Sequence, residues 1–140
     1  MARLVPELLV SDIARSIAFY TNVCGFSILY GRDEERFAFL DRDGAQIMIE
    51  EHGRDGVRSW ITGPLSFPYG RGMNLEIGVE SAASLYEACR SVGAKIFLEI
   101  EEKWYRRDAI LLGVRQFIVQ DPDGYLLRFS EHLGERSVEA

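Results

Sequence analysis

The amino-acid sequence predicts an α+β fold built from two tandem βαβββ modules, one in each half of the chain. An internal repeat leads to this prediction, because each copy runs from a short apolar strand into an amphipathic helix and then into three more strands. A Gly- and Pro-rich segment, residues 52–72, separates the copies and is typical of a connecting loop. We therefore expect a single domain over residues 1–140, with one module at 1–51 and the other at 73–131.

Each module begins with a strand that runs directly into a helix. In the first half this is the segment ELLVSDIARSIAFYTNVCGF, and in the second half it is EIGVESAASLYEACRSVGAK. Ser11 or Asp12 can cap the first helix and Ser81 the second, because such side chains accept hydrogen bonds from the free N–H groups at a helix start. Gly25 and Gly93 follow the apolar pattern of the two helices and are expected to end them.

The two copies also match in their later strands. Glu7 falls on Glu76 at a shift of 69 residues (76 − 7 = 69), and Asp41 falls on Asp121 at a shift of 80 residues (121 − 41 = 80). The segments DRDG and DPDG are typical of tight turns between strands. The segment EEKWYRRDAILLG has no counterpart in the first module and is predicted as an extra loop. The strands that follow the helices are predicted at residues 26–31, 36–41, 45–51, 95–100, 114–120 and 125–130.

The composition indicates an ordinary globular chain, since 47% of the 140 residues are hydrophobic and 27% are charged. The net charge of −6 and the lack of a basic cluster argue against a nucleic-acid partner and favour a cationic small ligand. No apolar run approaches the roughly 18 residues of a membrane span, and the first residues lack the apolar stretch of a signal peptide. Cys24 and Cys89 fall inside helical patterns, so we expect free thiols and a cytoplasmic protein with no membrane partner.

The segments VSDIARSIAFYTNVCGF and FIVQDPDGYLLRF resemble the vicinal oxygen chelate superfamily, and the likeness extends over nearly the whole chain. That superfamily includes glyoxalase I, extradiol dioxygenases, fosfomycin-resistance enzymes and bleomycin-resistance proteins. The resemblance implies the glyoxalase/bleomycin-resistance fold, in which the two modules form a cup-shaped mixed β-sheet with the ligand inside. It implies much less about activity, because one fold serves many functions.

The resemblance also indicates where a metal would be bound. Metal-dependent members carry His, Gln or Glu on the inward face of the first and last strands of each module. The corresponding positions here are Val5, Met48, Asn74 and Arg128. Two of these side chains are apolar, one is a cation and Asn is a weak neutral donor, so we expect neither a metal nor any other cofactor.

Strand alternation then indicates which charged residues line the expected cup. Glu7 shares a face with Val5, and Glu76 shares a face with Asn74. Because a buried Arg128 needs a partner, we expect it to form an ion pair with Glu7 or Glu76. This cluster is either a recognition patch for amines and amides or an internal salt bridge in place of a metal, and the sequence leaves both interpretations open.

Two aromatic residues of the extra loop, Trp104 and Tyr105, are expected to rim the cup and stack on a planar ligand. Burial at a dimer interface suits them equally well. No Ser-His-Asp or Cys-His arrangement is evident, so no catalytic residue is predicted. The candidate ligand-binding residues are Glu7, Met48, Asn74, Glu76, Trp104, Tyr105 and Arg128.

Within the superfamily, the segment VPELLV resembles bleomycin-resistance proteins, because Pro6 falls in the first strand. Those proteins bind a drug without changing it, exchange the first strand between subunits and form drug pockets at the dimer interface. The resemblance implies a metal-free binding protein for antibiotic resistance and a homodimer, with an exchanged N-terminal strand as one arrangement. Leu112 stands where drug-binding relatives carry an aromatic residue before Gly113. The expected ligand is therefore a small cationic or amide-rich molecule, and whether bleomycin itself binds stays open.

Two other functions stay open from the sequence. An enzyme of the glyoxalase or dioxygenase class is one alternative, and divalent metal bound to the purified protein would favour it. A dimeric interaction module without a small ligand is the other, and an apolar cup closed over by Trp104 would favour it.

Overall fold

The computed structural model describes residues 1–55 and 59–139 and divides into two compact units. The first unit comprises Met1–Tyr69 with Pro122–Gly124, and the second comprises Gly70–Asp121 with Tyr125–Ala140. Each unit contains a four-stranded mixed sheet and an α-helix, which confirms the predicted α+β fold of two tandem βαβββ modules. The organisation of residues 1–140 as a single domain stays a prediction.

In the first unit, the sheet has the strand order β1-β4-β3-β2. Strand β1 runs parallel to β4, and the other neighbours are antiparallel. A π-helical turn, Phe19–Val23, continues the helix, and a 3-10 turn precedes β3. The elements are β1 (Glu7–Val10), α1 (Ile13–Ala18), β2 (Ser27–Arg32), β3 (Phe37–Arg42) and β4 (Ala45–Glu51).

The second unit repeats this connectivity with longer strands. Its sheet has the order β5-β8-β7-β6, and β5 is again parallel to the last strand of its module. The internal repeat of the sequence corresponds to this shared connectivity, because the same order of apolar strands and helix recurs in both modules. The elements are β5 (Asn74–Gly78), α2 (Ala82–Ser91), β6 (Ile96–Arg107), β7 (Ile110–Gln120) and β8 (Leu126–Ser137).

The prediction of an extra loop in the second module is wrong. Strand β6 continues through this segment to Arg107, and β7 starts at Ile110 after a turn in which Asp108 has a positive φ of 54°. Strand β8 also runs on to Ser137 and pairs with β7 over the extension. The segment EEKWYRR carries few apolar residues, so it lacks the alternating hydrophobicity that marks a half-buried strand. Backbone pairing on both sides of β7 stabilises the extension instead.

The helix caps follow the sequence signals. The Asp12 side chain accepts a hydrogen bond from Arg15 N (3.1 Å), and the Ser81 hydroxyl accepts one from Ser84 N (3.2 Å). Asp12 rather than Ser11 is therefore the first N-cap. The backbone N–H and hydroxyl of Ser11 instead donate to the carboxylate of Asp123, which belongs to the same unit.

A second acidic residue stabilises the start of each helix. Glu51, at the end of β4, accepts a hydrogen bond from the backbone N–H of Ile13 at 3.0 Å. Glu131, in β8, accepts one from Ala82 N at the same distance. Ile13 and Ala82 are the first residues of α1 and α2, whose leading N–H groups have no partner within the helix. Glu51 also falls on Glu131 at the 80-residue shift of the repeat (131 − 51 = 80), and this match therefore has a structural cause.

Each sheet packs one face against its own helix. In the first unit the fully buried residues include Val10, Leu40 and Ile49, and in the second they include Phe117 and Phe129. Because successive side chains alternate between faces, the residues between them lie on the opposite face of each sheet. Neither helix in the described part of the chain is long and apolar enough to cross a membrane.

We expect the substitution Glu51→Gln to lower the free energy of unfolding near neutral pH by about 1 kcal/mol. The hydrogen bond from Ile13 N, followed by the ion pair with Arg36, lowers the pKa of Glu51 below its ordinary value. A carboxyl whose pKa is depressed on folding stabilises the protein above its unfolded pKa, and this contribution is lost as the pH falls through the folded pKa. Urea unfolding near neutral pH and at about pH 3 measures the difference.

The matched control is Glu34→Gln, which makes the same charge change at an exposed position of the first unit. It should change the free energy of unfolding by less than about 0.5 kcal/mol at either pH. An equal loss of stability for Glu51→Gln at both pH values would contradict the role assigned to the ionised carboxylate.

Candidate functional site

The second sheet carries a polar network on the face that turns away from α2. Arg128 lies on β8 between Leu127 and Phe129, which are both fully buried on the helix side. The guanidinium therefore projects from the opposite face. Its register partners are Glu76 on β5 and Ile118 on β7. We call this network the Arg128 cluster; its members are Asn74, Glu76, Glu101, Tyr105, Gln116 and Arg128.

Gln116 connects the members of the Arg128 cluster and is only 2% exposed. Its Nε2 donates to the carboxylate of Glu101 at 3.0 Å and to the hydroxyl oxygen of Tyr105 at 2.7 Å. Its Oε1 accepts a hydrogen bond from Nη1 of Arg128 at 3.5 Å. Both ends of the buried amide are thereby satisfied, which is the condition for burying a polar side chain without a large cost.

Arg128 is held mainly by neutral groups. Its Nε donates to Oδ1 of Asn74 at 3.1 Å, whereas the nearest oxygen of Glu76 lies 3.7 Å from Nη2. The expected ion pair with Glu76 is present, but half of the Glu76 side chain is exposed, so the pair contributes less than about 1 kcal/mol. The carboxylate of Glu76 is consequently accessible to a ligand.

Two other candidates lie in the first unit. Glu7 on β1 is the register partner of Met48 on β4, so the two side chains are neighbours on one sheet face. Val5 precedes β1. The structure therefore groups Glu7 with Met48 in one unit and groups Asn74, Glu76 and Arg128 in the other.

The structure separates Trp104 from Tyr105. Both residues lie on β6 rather than in a loop, and neighbours on a strand point to opposite faces. Tyr105 is 42% exposed and joins the Arg128 cluster through Gln116. Trp104 packs over Gly113, and the guanidinium of Arg136 lies 3.7 Å from the centre of its ring. Only Tyr105 is therefore placed to contact a ligand that binds at the Arg128 cluster.

The sequence pattern did not lead us to predict a role for Gln116 or Glu101. A signal for Gln116 exists, because it interrupts the apolar run of β7 in the segment VRQFIVQ just as Arg128 interrupts YLLRF. A polar residue at such a position is either exposed or hydrogen-bonded inside the protein. Glu101 carries no comparable signal, since it stands in a run of charged residues.

The four positions at which metal-dependent relatives carry ligands do not fit a divalent ion. Val5 offers no donor atom, and Oδ1 of Asn74 already accepts a hydrogen bond from Arg128. A guanidinium next to the remaining amide would repel a cation. Within residues 1–55 and 59–139, no group of three or more His, Cys, Asp or Glu side chains is placed to hold a metal ion.

The chain consists of two modules, each with a four-stranded sheet and one α-helix. Comparison with known proteins identifies the family to which it belongs. Residues 3–129 match the sequence profile of the Glyoxalase/Bleomycin resistance protein/Dioxygenase superfamily. The chain belongs to this superfamily.

Individual relatives have different activities. The chain is 29% identical to the bleomycin resistance protein of Geobacillus stearothermophilus over 140 residues, covering 95% of this chain and 98% of the relative. It is 28% identical to the lactoylglutathione lyase of Salmonella typhimurium over 137 residues, covering 94% and 93%. The crystal structure of TioX from Micromonospora sp. ML1 has the same fold, with a TM-score of 0.72 at 24% identity, over 95% of this chain and 100% of that one.

We expect Gly113→Ala to destabilise the protein by about 1 kcal/mol or more. A Cβ atom at Gly113 would lie 2.5 Å from the Trp104 ring, which must then leave its place beneath Arg136. Urea unfolding measures the loss of stability, and tryptophan fluorescence should shift to longer wavelength as the ring becomes more exposed. The control is Gly78→Ala, because a Cβ there meets no atom within 4 Å. Unchanged stability and fluorescence in Gly113→Ala would refute the packing role of Trp104.

Proposed function

We propose that this protein is a metal-free small-molecule-binding protein of the bleomycin-resistance type, which sequesters a cationic or amide-rich ligand without changing it. The observation that supports this proposal best is the Arg128 cluster, where a fully hydrogen-bonded amide at the centre is surrounded by accessible charged and aromatic groups. Rigid polar groups that are held by their own neighbours are suited to recognition, because little order has to be imposed when a ligand binds.

The chemistry of the Arg128 cluster favours an amine or an amide. Glu76 and Glu101 supply carboxylate oxygens on the same sheet face, which accept hydrogen bonds from a ligand ammonium. The half-exposed ring of Tyr105 offers a flat surface for stacking or for a cation. The net charge of −6 adds a long-range attraction for a cationic ligand.

The likeness to bleomycin resistance proteins supports a role in antibiotic resistance and a homodimer whose interface forms the drug-binding cup. Exchange of the N-terminal strand belongs to this proposal as one arrangement of the dimer. Light scattering should then give about twice the chain mass of 15.9 kDa at micromolar concentration. A mass equal to one chain would refute the homodimer while leaving ligand binding open. Cys24 and Cys89 are both buried as thiols outside any disulfide, which supports a cytoplasmic location.

An enzymatic function is the alternative that the lactoylglutathione lyase relative supports. The residues at the family's ligand positions argue against it, because Arg128 and Val5 cannot bind a divalent ion. The Arg128 cluster also contains no nucleophile beside a general base. An enzyme of this family would need metal ligands or a nucleophile that these positions do not supply. Binding a ligand without changing it needs neither, so we favour the binding function.

The test of the proposed function is calorimetric titration of the metal-stripped protein with bleomycin and with small cationic amides. Tight binding near one ligand per chain would support sequestration. We expect Glu101→Gln to weaken that binding about tenfold, because a neutral amide is a poorer acceptor for an ammonium group. The matched control is Glu80→Gln, an exposed position of the same unit, which should bind as the wild type does.

Two outcomes would contradict this function. Binding that is equally strong in Glu101→Gln would show that the ligand lies elsewhere than the Arg128 cluster. Stoichiometric divalent metal in the purified protein together with lactoylglutathione lyase activity would replace sequestration by the enzymatic alternative.

A further inference from the structure

Strand β6 forms an open edge of the second sheet. The strand order is β5-β8-β7-β6, so among the described strands β6 pairs with β7 alone. This pairing is irregular around Leu98 and regular over residues 101–107. An edge strand presents a row of unpaired backbone N–H and C=O groups to any further strand that comes alongside. We call residues 101–107 the β6 edge, because they form the regular part of this open strand.

Charge is segregated along the β6 edge. The acidic residues Glu101 and Glu102 come first, and the basic residues Lys103, Arg106 and Arg107 follow. All of these side chains except that of Glu101 are exposed. Charges in any arrangement discourage unspecific pairing of an edge, whereas an acidic half followed by a basic half matches a strand of the same sequence that runs in the opposite direction. The β6 edge is therefore complementary in charge to a second copy of itself.

The best match between two copies of the β6 edge is centred on Trp104, the midpoint of residues 101–107. A two-fold axis perpendicular to a sheet pairs residues that share a face. With this axis at Trp104, Glu101 comes opposite Arg107 of the partner subunit. Glu102 likewise comes opposite Arg106 of the partner subunit. Each of these contacts occurs twice by symmetry, so four pairs of opposite charge form and the whole of the β6 edge is paired.

The two neighbouring registers that keep the same faces together are less favourable. An axis at Lys103 would place this ammonium group opposite its own copy. An axis at Tyr105 would place Lys103 opposite Arg107 of the partner subunit. Like charges in directly opposite positions destabilise a sheet, so the charges of the β6 edge specify the register centred on Trp104.

The Trp104 side chain leaves the centre of the β6 edge open. Its ring lies over β7, because a Cβ atom on Gly113 would lie 2.5 Å from it. The guanidinium of Arg136, on β8, lies 3.7 Å from the ring centre. The indole is therefore directed towards the interior strands of the sheet and away from the edge at which a partner strand would pair.

We propose that the β6 edge pairs in antiparallel fashion with the β6 edge of a second copy of this chain, about a two-fold axis at Trp104. The two four-stranded sheets then join into a continuous sheet. This interface rests on the homodimer of the proposed function and gives it a location. A two-fold axis perpendicular to the sheet keeps both Arg128 clusters on one face, and it brings Lys103 of the partner subunit opposite Tyr105. The partner thus contributes a side chain next to the Arg128 cluster.

Charge reversal tests this interface on the full chain. Glu102→Arg and Arg106→Glu should each raise the dissociation constant of the dimer at least about tenfold, because two like-charge contacts replace two ion pairs. An equal mixture of the two variants should dimerise again, since each chain then meets opposite charges at both contacts. Sedimentation equilibrium and light scattering measure these constants. The control Glu80→Arg reverses a charge at an exposed position of the same unit and should leave dimerisation unchanged.

A disulfide cross-link tests the register itself. Directly opposite residues of antiparallel strands have Cα atoms about 4.5–5.5 Å apart, which lies within the range that a disulfide bridges. Trp104→Cys should therefore give a cross-linked dimer on a non-reducing gel after mild oxidation. The control Phe97→Cys places a thiol at an exposed position of the same strand outside the β6 edge and should stay uncross-linked. The native thiols of Cys24 and Cys89 are buried.

The outcomes separate this interface from the homodimer as such. A wild type with the mass of one chain would overturn both the proposed homodimer and the pairing of the β6 edges. A dimeric wild type whose dissociation constant is unchanged in Glu102→Arg and in Arg106→Glu would leave the homodimer standing and would overturn pairing through β6. Failure of the mixed variants to dimerise, while each alone is monomeric, would overturn the register centred on Trp104.

Discussion

The parallel pairing of the first and last strands of each module is the constraint on which the rest of the structure depends. In a sheet, pairing register determines which side chains share a face, and a slip of one residue would exchange the two faces. The β5–β8 register places Glu76 beside Arg128, and the β1–β4 register places Leu9 beside Glu50. One face of each sheet is covered by its helix, so the polar residues of these strands must meet on the other.

The same pairing anchors the helices. Each module sends its chain from the first strand directly into a helix, whose leading N–H groups need acceptors. The last strand lies next to the first, so a carboxylate on it reaches the start of the helix, as Glu51 does for Ile13 and Glu131 for Ala82. Two acidic residues that look like ordinary surface charges in the sequence are thus part of the module's architecture.

The sequence was sufficient to predict the modules and to narrow the ion-pair partner of Arg128 to Glu7 or Glu76, because both predictions depend on local patterns and on strand register. It was insufficient for the long hairpin of β6 and β7, since a strand with two solvent-exposed faces has no alternating hydrophobicity. Missing that hairpin also meant missing that Trp104 and Tyr105 point in opposite directions. The contact of Gln116 with Glu101 depends on irregular pairing around Leu98 in β6, and nothing in the residue pattern specifies such a bulge.

The two modules differ in the polar groups that they bury. In the second, the buried amide of Gln116 is satisfied at both ends by groups of its own unit. In the first unit, Nη1 of Arg54, in the segment after β4, is buried without a hydrogen-bond partner. Satisfied networks stabilise a protein and make it rigid, whereas unsatisfied buried groups lower stability unless a ligand completes them. The hydrogen-bonded amide of Gln116 therefore gives the second module a rigid polar surface on the face opposite α2.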